Sequence, residues 1–401
     1  MVIGMKDLGG ALFECEAGAL LAALGTVKLV TPRRPARPIL GAVLLEGEGE
    51  TVVVTGTDGE TFVSVRVPAR SASGRVAFPH HELTRLLSSG LRGVLGGKAS
   101  VVTIAPNDLG RWQVAVGGRR EPADTYPGDA FPMVPSDLTM VGNAARADLV
   151  AGIRRVLTGV LRDDARPDLC GASVEVGTGR VTFAGGDVHR LGVARIAACT
   201  GLIQRRHRAR LGAPALVGIV GRLDGARVAI QWGESDGAAV VGLIGDTVRV
   251  VTRGGEEAFP EYEQYLGLAP GAVVVAREEL LREVRCSTPS AVAKCRGRPM
   301  LEVRVSEASM SVRPVLAERS DEVVVPDVAA EVCELDEEHG RFWVHAADFQ
   351  AALEACGDAR VALRVAGPAA VMTIVDGGSL KGEPEFREVM YAQRKPRHLE
   401  P

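Results

Sequence analysis

The sequence predicts an α+β fold made of three tandem units, each of two helices packed on antiparallel sheets. Three observations carry this. A helical apolar stripe followed by short strands recurs along the chain. Turns and unit ends recur with it: Asp58 and Asp187 are 129 apart, and Phe131-Pro132 and Phe259-Pro260 are 128 apart. The helical positions Leu83 and Phe349 are 266 apart, close to twice that spacing. A period of roughly 130 residues is too long for a solenoid repeat and fits whole domains. The expected domains are 1–132, 133–262 and 263–401. Helix-then-strands occurs twice in each, so each domain reads as two half-repeats.

In the first unit, Leu20, Leu21, Leu24 and Val27 form a stripe at helical spacing. The segment Pro32-Arg33-Arg34-Pro35-Ala36-Arg37-Pro38 is a non-helical connector, because its prolines break any helix. Strands are expected at 39–45, 51–55 and 61–67, a helix at 81–91, and a strand pair at 101–104 and 112–116. The second unit has a helix over 147–161, strands at 172–176, 180–183 and 191–197, and a helix near 214–223. Further strands follow at 228–232, 238–243 and 247–251. The third has a helix at 277–284, strands at 300–305 and 310–317, and an acidic irregular strand region at 323–335. A helix at 346–355 and strands at 361–365, 370–375 and 388–392 complete it.

Composition sets limits on function. The chain has 401 residues and a net charge of −3, so it carries no global basic footprint for nucleic acid. Any such contact must come from local patches. The seven cysteines are scattered, with no Cys-x-x-Cys, which points to free thiols in a reducing compartment. No signal-peptide pattern opens the chain and no apolar run reaches the length of a membrane span. The expected location is the cytoplasm, with no membrane partner.

No enzyme constellation is visible. The seven histidines form no metal-spaced helical pair, and the Gly-rich stretches lack P-loop order. The segment Gly233-Glu234-Ser235-Asp236-Gly237 falls between two strands, whereas a nucleophile elbow needs a strand-to-helix turn. A hairpin turn is the better reading. No catalytic residue, metal or cofactor is expected. The run Arg205-Arg206-His207-Arg208-Ala209-Arg210 is the sharpest basic patch and reads as a solvated loop or a DNA contact.

Four stretches carry a family resemblance: Pro32-Arg33-Arg34-Pro35 through Glu46; Thr55-Gly56-Thr57-Asp58; Asp187 with His189-Arg190-Leu191; and Phe259-Pro260-Glu261-Tyr262. In order and spacing they resemble the bacterial sliding clamp, the beta subunit of DNA polymerase III. The resemblance implies three clamp domains that close as a head-to-tail homodimeric ring around duplex DNA. It implies a processivity factor that tethers the replicative polymerase alpha subunit and the clamp loader through short peptides. Encirclement supplies retention, so the lining needs only mild, sequence-independent attraction to phosphate. Arg85, Arg92, Arg155, Arg162, Arg282 and Arg285 are the candidates for that lining. Ordinary solvated helix faces give the same pattern.

The peptide pocket implied by the resemblance draws on Leu169, Gly186, Val188, His189, Arg190 and Leu191. From the following linker come Pro260, Gln264 and Tyr265, and from the last domain Val371, Val389, Met390, Tyr391, Ala392 and Gln393. Here the chain departs from the family. The usual turn reads Thr-Asp-Gly-His-Arg-Leu, whereas this chain has Gly186 for the Thr and Val188 for the Gly. A valine does not easily take positive φ. Gln264 stands where the family has an Arg, and the usual Met-Pro-x-Arg ending is replaced by Met390-Tyr391-Ala392-Gln393 with a longer tail. These changes at one surface suggest an altered pocket. They fit a second clamp that resists a pocket-directed cyclic-peptide inhibitor, and equally drift in a working clamp. A non-loading decoy that sequesters partner peptides or the inhibitor is the alternative class.

Overall fold

The computed structural model describes residues 12–92, 100–161, 166–201, 207–212, 216, 218–255, 259–266, 271–294, 298–315, 324–335, 340–365, 371–377 and 386–391. Its elements follow one pattern, a strand running directly into a helix and then three strands. The first copy is β1 (Leu12–Glu16), α1 (Ala17–Val27), β2 (Ala42–Gly47), β3 (Gly49–Thr57) and β4 (Thr61–Ser73). The second is β5 (Arg75–Pro79), α2 (His80–Leu91), β6 (Val101–Pro106), β7 (Trp112–Val116) and β8 (Arg119–Pro122), with the short β9 (Tyr126–Pro127) after it. The third is β10 (Thr139–Ala145), α3 (Arg146–Leu157), β11 (Gly171–Gly177), β12 (Arg180–Gly186) and β13 (Arg190–Thr200). The fourth has strands β14 (His207–Gly212), β15 (Arg227–Ser235), β16 (Ala238–Ile244) and β17 (Val248–Arg253). The fifth is β18 (Ala272–Ala276), α4 (Arg277–Lys294), β19 (Met300–Val305), β20 (Ser309–Pro314) and β21 (Val328–Cys333). The sixth is β22 (Arg341–His345), α5 (Ala346–Ala355), β23 (Arg360–Val365), β24 (Val371–Asp376) and β25 (Phe386–Tyr391).

Several sequence expectations need correction. The strand ahead of each helix was not anticipated; at the fifth, for example, Ala276 ends β18 and Arg277 opens α4 with no turn residue between them. The helix expected at 277–284 continues to Lys294 through Pro289. Its second half is anchored by the buried Ala291 and by Ser287, whose hydroxyl donates to the Val312 carbonyl at 2.9 Å. The strand expected from Ile39 begins instead with a 3-10 turn, Pro38–Gly41. Part of the basic run 205–210, read as a loop, is the strand β14, which pairs with β11. Residues 205 and 206 lie outside the described set, as do 214, 215 and 217 of the helix expected at 214–223. Within that expected helix, residues 216, 218 and 219 are helical, and Val220–Arg222 form a 3-10 turn.

The chain divides into two compact units. The first comprises Met1–Ala147, Cys199–Gly201 and Pro214–Glu256, and the second comprises Asp148–Ala198, Leu202–Ala213 and Glu257–Pro401. In the first, β4 is long enough to serve two neighbours along one edge. Its start, Thr61 to Val65, pairs with β17, and its end, Ala69 to Ser73, pairs with β1. Leu20, Leu24 and Val27 of α1, which packs on β3 and β4, and Leu83, Leu86 and Leu87 of α2, which packs on β5, β7 and α1, are buried, each side chain contributing about 1.5–3 kcal/mol relative to exposure.

The second unit repeats this device. The start of β13, Arg190 to Ala194, pairs antiparallel with β25. Its helices bury Leu149 and Ile153 of α3, Leu280, Leu281 and Val284 of α4, and Phe349, Ala352 and Leu353 of α5. The β4–β17 ladder joins strands on either side of residue 132, and the β13–β25 ladder joins strands on either side of 262.

Candidate functional site

The β12–β13 turn and its partner in the first unit share one polar device. Asp58 accepts hydrogen bonds from the Glu60 and Thr61 amides at 3.0 and 2.7 Å. Asp187 accepts from the His189 and Arg190 amides at 2.7 and 2.9 Å. Both are Asx turns, in which a short carboxylate substitutes for backbone acceptors. The flanking residues differ. In the first turn Gly59 has φ +107°, and the Thr57 hydroxyl donates to the Thr61 carbonyl at 2.8 Å. In the second, Val188 is not among the residues of positive φ. Instead Gly186 lets the strands close: a Cβ there would lie 2.4 Å from the Arg190 carbonyl oxygen. The glycine has moved from after the aspartate to before it.

This turn forms one side of a cavity of about 260 Å³ in the second unit. Of the residues named from sequence, Leu169, Gly186, Val188, His189, Arg190 and Leu191 line it, together with Pro260, Tyr265, Val389 and Met390. Val188 is 54% exposed at its rim. Arg190 is buried and donates from Nη2 to the Thr158 carbonyl. The apolar floor consists of Leu169, Ala184, Val193, Phe259, Tyr262 and Leu266 with Val389.

Gln264 does not line the cavity. It sits on the 3-10 turn Glu263–Leu266, and its amide donates back to the Glu261 carbonyl at 3.2 Å. Val371 and Tyr391 pair with each other across β24 and β25; their side chains, and the whole of Ala392 and Gln393, lie outside the described set. Five lining residues were not anticipated: Arg166, Asp187, Phe259, Glu261 and Tyr262. The aromatic pair flanking Pro260-Glu261 was the available signal for three of them.

The linker beneath the cavity is held at both ends. Arg208 of β14 donates to Glu261 at 3.0 Å and to Glu263 at 3.2 Å, and stacks over the Tyr262 ring. At the far end, Arg387 donates to the Leu266 carbonyl at 2.7 Å. Burial, reinforced by the negative charges of Glu263 and Glu175, pushes the Tyr262 phenol up to about 12, so it stays neutral. At the rim, the Arg166 guanidinium holds the Asp168 carboxyl below its ordinary range. The His189 ring lies 6.1 Å from that of His345. The site is therefore an apolar slot with fixed polar edges, of a size for one or two aliphatic or aromatic groups.

The expected DNA-facing arginines are differently engaged. Arg85 lies 3.6 Å from Glu121, Arg282 3.5 Å from Glu283 and Arg285 2.9 Å from Glu354, all with well-exposed guanidinium groups. Arg92 is exposed at the end of α2. Arg155 does not face open solvent as its helical position suggests; it pairs with the buried Asp376 at 2.9 Å and covers the Phe386 ring. Arg162 lies outside the described set. Among the described residues no cluster of His, Cys, Asp and Glu could hold a metal, and no helix is long and apolar enough to cross a membrane.

Comparison with known proteins agrees with this geometry. Residues 11–88 match the family model of the DNA polymerase III beta subunit, N-terminal domain. The beta sliding clamp of Pseudomonas aeruginosa is 29% identical over 279 residues, covering 68% of this chain and 72% of that protein. The beta sliding clamp homolog GriR of Streptomyces muensis is 26% identical over 167 residues, 40% of this chain and 42% of that one. The crystal structure of the P. aeruginosa clamp bound to griselimycin superposes with a TM-score of 0.80 at 20% identity, over 96% of this chain and 100% of that one. The repeated β-α-β-β-β unit thus has the DNA-clamp fold. The chain is similar in sequence to the beta sliding clamps and shares their fold.

Proposed function

We propose that three clamp domains, 1–132, 133–262 and 263–401, close head to tail with a second copy around duplex DNA. The observation that supports this is the forked strand. β4 pairs with β17 and β13 pairs with β25, each the last strand of a later half-repeat. The equivalent third strand is β21, and the equivalent last strand of the second half-repeat is β8. Among the described residues β8 pairs only with β7, and Val324, just before β21, is 92% exposed. A second copy supplies the missing neighbour at each edge, since an open strand edge favours pairing. Arg85, Arg92, Arg282 and Arg285 are then the candidates for a sliding, sequence-independent contact with DNA.

The pocket of the second unit takes the apolar tips of short peptides from the replicative polymerase and the clamp loader. The shifted glycine at Gly186, the protruding Val188 and the bulky Tyr265 support an altered fit. The second reading is resistance to a pocket-directed cyclic peptide. It is favoured by these changes at the rim, by the similarity to GriR, and by the fold shared with a clamp that binds griselimycin. Two measurements test both readings. Light scattering is expected to give twice the chain mass; a strict monomer would favour the decoy. Titration with a polymerase-tail peptide and with griselimycin is expected to show binding of the first and weakened binding of the second. Tight binding of both would sink the resistance reading.

A further inference from the structure

A second cavity, of about 530 Å³, lies in the second unit, where the end of β21 meets the β19–β20 turn and the start of β22. Val305, Val332 and Leu335 give it apolar walls, and Arg304 and Arg341 give it two guanidinium groups. These two arginines stand directly opposite each other in the β19–β22 ladder. Like charges in that position repel unless something offsets them. Glu302 does so. One of its oxygens accepts from Arg304 Nε at 2.9 Å and from Nη2 at 2.8 Å, and the other accepts from Arg341 Nε. The carboxylate is buried, while the two arginine side chains remain 42% and 49% exposed. A guanidinium has five N–H donors, so these bonds hold both forks in place and leave donors over.

Two observations on the same face of the sheet point to an anion. Cross-strand partners share a face, so Arg313 on β20 and Trp343 on β22, both opposite Glu302, lie beside it. Arg313 makes no ion pair among the described residues, and its buried Nε has no hydrogen-bond partner. Trp343 is 5% exposed and carries the Arg341 guanidinium 5.5 Å from its ring centre. Its buried Nε1 also has no hydrogen-bond partner. Buried donors without acceptors are costly unless something satisfies them. The face around Glu302 thus holds three arginines to one carboxylate. Glu307, on the exposed β19–β20 turn, is the acid on the cavity's lining, and it pairs with none of the three.

We propose that this cavity and the arginine face beside it bind an acidic, aliphatic peptide segment of a partner protein. Carboxylates match guanidinium forks with two bonds at a time. The walls of Val305, Val332 and Leu335 take an aliphatic side chain next to them. Duplex DNA fits less well. It offers no aliphatic group to the walls, and Glu302 and Glu307 interrupt the positive field that a continuous phosphate backbone needs. The proposal depends neither on the reading of this chain as a clamp nor on the pocket at Val188.

The test titrates the full-length protein at low salt with a fluorescein-labelled peptide of alternating Glu and Leu, with its Gln-for-Glu analogue, and with a short duplex. Removing Arg304 and Arg341 alone leaves the buried Glu302 carboxylate unpaired. The variant used is therefore the triple one, Arg304→Ala with Arg341→Ala and Glu302→Gln. Arg313→Gln removes a cation that pairs with nothing, and so spares the fold. The triple variant is expected to bind the acidic peptide at least about tenfold more weakly, and Arg313→Gln about threefold more weakly. The Gln analogue is expected to bind the native protein at least about tenfold more weakly than the acidic peptide. A polymerase-tail peptide is expected to bind every variant as it binds the native protein and not to displace the acidic peptide. A failure at this cavity is thereby separated from a failure of the pocket at Val188. The proposal is overturned if the native protein does not bind the acidic peptide, if the variants bind it equally well, or if the polymerase-tail peptide displaces it. Duplex that displaces the acidic peptide and weakens in the same variants assigns the face to nucleic acid and also overturns it.

Discussion

The Arg208 guanidinium lies 5.2 Å from the centre of the Tyr262 ring while bonding Glu261 and Glu263 on either side of it. Arg208 does not line the pocket, yet three consecutive linker residues depend on it, and two of them, Glu261 and Tyr262, are pocket walls. Arg208→Ala is expected to weaken peptide binding about fivefold. That sums a partly buried cation–π contact with ion pairs discounted for solvent. Arg208→Lys should recover only the charge part. Fluorescence anisotropy with a labelled polymerase-tail peptide checks this, and equal affinity for all three proteins would refute it.

Gly186 and Val188 should be energetically coupled. Gly186→Thr alone forces a Cβ into the Arg190 carbonyl and is expected to cost about 1–3 kcal/mol. Adding Val188→Gly offers the backbone the route used by Thr57-Asp58-Gly59, and part of the loss should return. Denaturant midpoints of the two single variants and the double variant give the coupling, expected in the range of about 0.5–3 kcal/mol. Strict additivity would show that the two turns are not interchangeable.

Asp224 offers a pH test. Burial works to raise its pKa, but hydrogen bonds from the Thr247 hydroxyl and amide and the Val248 amide outweigh it, and the net shift is downward. A folded-state pKa held below the unfolded value stabilises above the unfolded pKa and is lost as pH falls through the folded one. Asp224→Ala should therefore cost about 1 kcal/mol at neutral pH, discounted for exposure, and progressively less below about pH 4. Thermal melts across that range measure it. A pH-independent difference would show that packing, not charge, is at work.

Arg155 should behave as a structural residue. Asp376 accepts from Arg155 and from the Gly357 and Asp358 amides at 2.9 and 2.8 Å. Removing the cation leaves a buried carboxylate with two backbone donors only. Arg155→Ala is expected to lose about 1–3 kcal/mol of stability while leaving the salt dependence of DNA binding unchanged. A reduced salt slope with normal stability would return Arg155 to the DNA-facing set.

Much of this architecture was legible because periodicity and repeated turns report local physics. Helix α5 and strands β7 and β19 start and end where the apolar pattern does. The strands that precede helices were hidden, since β18 and α4 join with no turn residue between them. Position 264 was misplaced for a different reason. Its role depends on a side chain folding back on a 3-10 turn, and sequence spacing carries no signal for that direction. Likewise the helical wheel put Arg155 outward, but only tertiary pairing reveals Asp376 waiting there. The pocket walls Phe259 and Tyr262 were visible as an aromatic pair, whereas Arg166, just before the 3-10 turn Pro167–Leu169, carries no such signal.

The Asp58 and Asp187 turns have a consequence for how such a surface changes over generations. In both, the carboxylate and two amides fix the reversal. The residue just after the aspartate is then relieved of folding duty, provided a glycine remains on one side or the other. Position 188 is thus a place where a lineage is free to try new side chains against whatever enters the pocket, without first risking the chain's ability to fold.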